Sequence, residues 1–157
     1  VSVAEEVLVI GYGNPLRGDD GAGWRGAELL AEDHRAAGAR VLALHQLTPE
    51  LAEDVSQAGL VVLIDASEEP GPAGAVSSQA LAHDPVSGSV LSHHVDPARL
   101  LQLATALFGQ VPPAVQVTIT AADVEPGTEL SAPVGAAMPE LVDRVIDVIN
   151  QHRQASA

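Results

Sequence analysis

Leu60-Val61-Val62-Leu63-Ile64 is an unbroken aliphatic run that ends in a carboxylate, Asp65. A strand without alternation is covered on both faces, which points to a parallel sheet with helices on either side. Val7-Leu8-Val9-Ile10 is a second such run, closed by Gly11. Elsewhere the apolar spacing changes to helical. Residues 21–37 read as a helix, with Ala22, Leu29 and Leu30 among its apolar positions and Gly38 as its stop. Residues 40–44 read as a strand. Thr48 stands as an N-cap with Pro49 at the first helical position, opening a helix to about residue 57. Asp96-Pro97 starts a helix that reaches Phe108, with Gly109 beyond it. Residues 115–119 read as a strand. A last helix begins near Ser131, where Val134, Ala137, Leu141, Val145, Val148 and Ile149 keep the i, i+3, i+4 rhythm. Turn residues crowd 66–92, leaving room for one edge strand near 75–81. The pattern predicts an α/β fold: one domain over 1–157, with a twisted, mostly parallel sheet of about five strands between helices. Residues 152–157 are expected to fray.

Composition narrows the function. Aromatic residues make up 2% of the chain, namely Tyr12, Trp24 and Phe108, so the core is built from Val, Leu, Ile and Ala. So few rings argue against a stacking platform for single-stranded nucleic acid. Seven Lys and Arg stand against 21 Asp and Glu, a net charge of −14, which repels a phosphate backbone. No nucleic-acid partner is expected. Cysteine is absent, which excludes disulfides, thiolate zinc sites and a cysteine nucleophile. No stretch reaches the roughly 18 apolar residues of a membrane helix, and the first residues carry no basic signal region. The expectation is a soluble, cytoplasmic monomer that does not engage a membrane.

In parallel α/β sheets, sites form beyond the carboxyl ends of the strands. That rule directs attention to residues 11–23, 65–67, 93–94 and 123–127. The first segment contains Gly11-Tyr12-Gly13, but Leu16 occupies the third glycine position of a dinucleotide loop, and Asp19-Asp20 stand where a pyrophosphate would rest. The acids favour a cation instead. Asp20 reads either as a helix N-cap or as a metal ligand. Asp19 reads as a solvated turn acid or as a spare general base. Asp65, directly after an aliphatic run, is partly desolvated and needs a cation or hydrogen bonds to stay charged. Ser92-His93-His94 adds imidazoles, which together with carboxylates suit zinc or nickel. The other histidines have no evident partner. There is no Gly-x-Ser-x-Gly elbow and no His-Glu-x-x-His.

These segments, taken together, resemble the maturation endopeptidases of nickel–iron hydrogenases. The resemblance rests on Val9-Ile10-Gly11-Tyr12-Gly13-Asn14-Pro15-Leu16-Arg17-Gly18-Asp19-Asp20-Gly21-Ala22-Gly23, on His45-Gln46-Leu47-Thr48-Pro49-Glu50-Leu51, and on Val62-Leu63-Ile64-Asp65-Ala66. It continues through Ser92-His93, Glu125-Pro126-Gly127, Leu130-Ser131 and Val134. It implies an α/β fold and removal of a C-terminal extension from the hydrogenase large-subunit precursor after nickel insertion. It also implies that Asp20, Asp65 and His93 form the metal-binding and catalytic set, with nickel supplied by the substrate. His94 directly follows His93 and competes for the same role. The segment 68–91 matches little. A non-catalytic alternative is a metal-dependent chaperone or nickel-binding module for the same subunit. A third reading is a peptidase of similar fold acting on another protein.

Overall fold

The computed structural model describes residues 6–82 and 95–156. Five strands form one sheet: β1 (Val7–Tyr12), β2 (Arg40–Leu44), β3 (Leu60–Ser67), β4 (Val76–Ala80) and β5 (Ala114–Thr120). Their spatial order is β2-β1-β3-β5-β4. β1 pairs in parallel with β2 and β3, and β3 pairs in parallel with β5. Among the described strands only β4, at one edge, runs antiparallel. The helices are α1 (Ala22–Ala31), α2 (Leu51–Gln57), α3 (Pro97–Phe108) and α4 (Ala132–Ala155). The α/β sandwich anticipated from the aliphatic runs is therefore what forms. Among the described residues no helix is long and apolar enough to cross a membrane.

Each face of the sheet has its own core, because each strand sends alternate residues to opposite sides. Val7, Val9, Val62 and Ile64 pack with Leu30 of α1 and with Leu141, Val145 and Ile149 of α4. Leu8, Ile10, Val61 and Leu63 pack with Leu51 and Val55 of α2 and with Leu100, Leu101 and Ala104 of α3. With both faces sealed, an unbroken aliphatic strand is the stable solution. From β1 the chain crosses to β2 on one side and then returns to β3 on the other. The carboxyl ends of β1 and β3 therefore flank a topological switch point.

Helix α1 sits unusually close to these two strands. A Cβ on Gly23 would lie 2.4 Å from the Ile64 carbonyl oxygen and 2.5 Å from that of Tyr12. One on Gly11 would lie 2.1 Å from the Gly23 carbonyl oxygen. The glycine-rich segment thus serves helix-on-strand contact and not an approaching phosphate.

Several boundaries differ from the sequence reading. The helix expected over 21–37 ends at Ala31, and a separate 3₁₀ turn covers His34–Ala36. Asp33 competes with the helix there, its side chain accepting from the Arg35 amide at 2.9 Å. Thr48 is not the cap of α2. Its carbonyl and that of Pro49 close a turn onto the amides of Leu51 and Ala52, and Glu50 is the cap residue. The residues expected to fray continue α4 to Ala155, where Arg153 donates to the Ala37 carbonyl at 2.8 Å.

Gly23→Ala tests the close approach. Helix propensity alone favours alanine by about 1 kcal/mol, yet the backbone clash should dominate. The expected outcome is a net destabilisation of about 2 kcal/mol, read by thermal or denaturant unfolding.

Candidate functional site

The loop after β1 folds back on itself. Gly13 adopts φ +146°, and its amide donates to the Leu44 carbonyl of β2 at 3.1 Å. The Asn14 side chain accepts from the Leu16 amide at 2.9 Å, and the Asn14 carbonyl accepts from the Arg17 amide at 3.1 Å. The Asn14 amide in turn donates to Oδ2 of Asp20 at 2.9 Å. Asp20 is therefore not the N-cap of α1, a position that Gly21 holds. Its carboxylate is turned back across the loop and stays half-buried.

Asp19 has a different fate. It is 0% exposed, and its carboxylate takes four donors. Oδ2 accepts from the amides of Ala122 (2.8 Å) and Asp123 (3.0 Å) and from the Ser131 hydroxyl (2.8 Å). Oδ1 accepts from the Ser131 amide at 2.8 Å. Burial by itself raises its proton affinity, but the donors from Ser131, Ala122 and Asp123 outweigh it and hold the carboxyl below its usual range. A carboxylate so occupied is no general base. Nor is Asp19 a solvated turn acid; it fastens the β1–α1 loop to the loop between β5 and α4.

Asp65 lies inside β3 rather than after it, opposite Thr118 in the register with β5. It shares the α2/α3 face with Leu63, as Tyr12 does with Ile10 on the neighbouring strand. Burial pushes its carboxyl up to about 6. The Tyr12 hydroxyl and the Ala66 amide (2.8 Å to Oδ1) oppose the rise, whereas the charges of Asp20 and Glu68 add to it. Tyr12 is pushed well above its own usual value, first by burial and then by the charge of Asp65. Asp96, the N-cap of α3, adds to that charge, while the Gln116 side chain opposes the shift by hydrogen bonding to the Tyr12 hydroxyl. Tyr12 was not singled out by sequence. The available signal was a polar ring ending an apolar strand, beside the strand that carries the acid.

The structure thus brings Asp20 and Asp65 together at the switch point. His93 and His94 lie outside the described residues. Among the described residues no group of three metal-ligating side chains forms. Each of the two acids commits one oxygen to a backbone amide, and their like charges repel, so the pair suits a cation. His45 meets Trp24 edge-to-face with ring centroids 6.4 Å apart.

Comparison with solved structures gives likenesses over nearly the whole chain. The hydrogenase 2 maturation peptidase of Thaumarchaeota archaeon SCGC_AB-539-E09 is 28% identical with a TM-score of 0.72, covering 93% of this chain and 99% of that one. The [NiFe] hydrogenase maturation protease HybD of Thermococcus kodakarensis is 26% identical with a TM-score of 0.67, covering 92% and 99%. The chain shares the fold of the hydrogenase maturation peptidases. The maturating endopeptidase HybD of E. coli, at 20% identity, TM-score 0.65 and 93% coverage of both chains, agrees in fold. No protein-family model and no curated protein matches the chain. Within this peptidase fold, Asp20 and Asp65 are the acids that the switch point juxtaposes.

Two substitutions separate the roles of the acids. Asp19→Asn places an amide against donors only, and should cost about 3 kcal/mol in unfolding free energy. Asp19 also lends wild-type stability that is present above its unfolded value of 3.8 and lost as pH falls through its lower folded value. This acid-side loss should be absent in the variant. Asp65 has the opposite sign: with its folded value raised to about 6, its ionisation lowers stability as pH rises from 3.8 through about 6. Asp65→Asn should therefore raise the melting temperature at pH 7, by about 2–4 °C, and leave it little changed at pH 3.

Proposed function

We propose that this chain is an endopeptidase that removes the C-terminal extension of a nickel–iron hydrogenase large-subunit precursor once nickel is in place. It acts as a cytoplasmic monomer. The observation that carries the reading is the pairing of Asp20 and Asp65 at the switch point of a fold shared over 93% of the chain with a maturation peptidase. The nickel belongs to the substrate. Two carboxylates at the edge of a low-dielectric core repel each other, and a precursor that presents a cation relieves that repulsion. A precursor without nickel offers no such gain. The same pair can therefore check that the metal is loaded and hold the tail segment beside it. His93 completes the donor set in this reading, as imidazole with carboxylates suits nickel.

The reaction itself is amide hydrolysis. Water adds to the scissile carbonyl carbon, the carbon–nitrogen bond breaks, and the departing amine takes a proton. Asp20 and Asp65 orient the metal-bearing end of the substrate, and Asn14 and Ala66 hold those carboxylates in place through their amides. Asp19, with its four donors, keeps the loop rigid and takes no proton.

The test is cleavage of a nickel-loaded large-subunit precursor followed by intact mass, with nickel-free precursor alongside. Loss of the tail only from the loaded form, at substoichiometric protein, is the expected outcome. Asp20→Asn and Asp65→Asn should each lower turnover by about a hundredfold or more, through loss of substrate positioning, while the folded content is unchanged. Wild-type rates in both variants would overturn the site. Stoichiometric binding with no mass change would turn the reading to a chaperone.

A further inference from the structure

All seven basic residues of the chain are arginines. Five of them are engaged. Arg35 and Arg40 pair with carboxylates. Arg25 and Arg153 donate to carbonyls, and Arg144 donates to a serine hydroxyl. Among the described residues, Arg17 and Arg99 have guanidinium groups with no such partner, and both are exposed. Both also stand at the carboxyl edge of the sheet. Arg99 lies in the first turn of α3, where the helix dipole disfavours a cation. Arg17 lies three residues before Asp20 in the loop that carries it.

The backbone at Arg17 is held from every side. Its amide donates to the Asn14 carbonyl and its own carbonyl accepts from the Asp20 amide, each at 3.1 Å. On either side of it, Gly127 donates to the Leu16 carbonyl and accepts from the Gly18 amide, both at 2.9 Å, a parallel bridge between the two loops. Gly18 takes φ +55°, and a Cβ there would meet the Asp123 carbonyl oxygen at 2.7 Å. The anchored backbone nevertheless turns two large side chains to solvent: Arg17, and Leu16, which is 63% exposed. A rigid platform limits the entropy cost of forming a contact there.

From this arrangement we infer that Arg17, exposed beside Leu16 on the anchored loop, is a specificity-determining residue that binds a carboxylate of the substrate's tail while Asp20 and Asp65 engage its cationic centre. The inference rests on the peptidase reading above and deepens it. On a chain of net charge −14, Arg17 puts an exposed cation on the same loop as Asp20, three residues before it. A substrate with a cation and an anion at matching separation can then lie across the loop in one direction only. The carboxylate could be an acidic side chain or the C-terminus of the tail. Both present the same chemistry to a guanidinium.

The experiment uses the full chain and the nickel-loaded precursor, with KM and kcat measured at low and high salt. Arg17→Glu should raise KM by about tenfold, more at low salt, with the smaller effect on kcat. Arg153→Glu makes the same change in net charge far from the loop and should leave KM within about twofold. Precursors in which the acidic side chains of the tail become amides form one arm, and precursors whose tail ends in a C-terminal amide form the other. The arm that raises the wild-type KM and removes the difference between wild type and Arg17→Glu identifies the carboxylate. Equal KM for wild type and Arg17→Glu, or a difference that survives in both arms, overturns the inference and leaves the peptidase reading standing. Calorimetric binding of the same precursors covers the opposite case. If precursor is bound in an Arg17-dependent way but never cleaved, the peptidase reading fails and the Arg17 contact stands. If it is neither bound nor cleaved, both fail.

Discussion

The Asp19 carboxylate organises the carboxyl edge of the sheet. It is sealed from water, and four donors from two residues of the β5–α4 loop and from Ser131 converge on it. An ionised group in that position is tolerable only while the donors stay in place, because each strips part of the cost of burying charge. The converse also holds. Amides and a hydroxyl gathered around an empty or neutral position would be left unsatisfied. Charge and donors thus enforce each other, and two loops distant in sequence become one unit.

That unit explains how adjacent acids come to differ so widely. Asp19 points into the protein and is held ionised by donors. Asp20 points back across its own loop, accepts one backbone amide, and remains near Asp65. Asp65 is shifted in the opposite direction from Asp19, since burial and the charges of Asp20 and Glu68 outweigh the Tyr12 hydroxyl and the Ala66 amide. Asp20 and Asp65 thus face each other at the switch point with like charges opposed. The glycines set the distances. Without Cβ atoms at Gly11 and Gly23, α1 rests directly on β1 and β3, and the loop before it is drawn over the strand ends.

Much of this was legible in the chain itself. Residues 60–64 and 7–10 are strands, as their unbroken aliphatic character requires, and the helix after Asp96-Pro97 runs to Phe108 with Gly109 in the left-handed conformation. A strand-end rule and a family likeness both pointed to Asp20 and Asp65, and the structure places the two within electrostatic reach of each other. The boundaries at Ala31 and Glu50 were not, since local side-chain competition by Asp33 and turn carbonyls at Thr48 and Pro49 decide them. The helix at 152–155 was not legible either, for another reason. It is held by Arg153 reaching Ala37, a contact remote in sequence.

By itself the sequence determined the sheet, its covered faces and the edge at which chemistry could gather, because periodicity and apolar content are local properties that fix which surfaces must be buried. It also determined that acids, and not phosphate-binding groups, occupy that edge. Only the tertiary structure decided what each acid does. Asp19 and Asp20 are neighbours of the same chemical type, and nothing local distinguishes them. The donors that bury Asp19 come from residues 122, 123 and 131, and the charge that perturbs Asp65 comes from residue 20. Proton affinity and hydrogen bonding depend on what surrounds a group in space, so the division of labour between the acids arises when the loops meet.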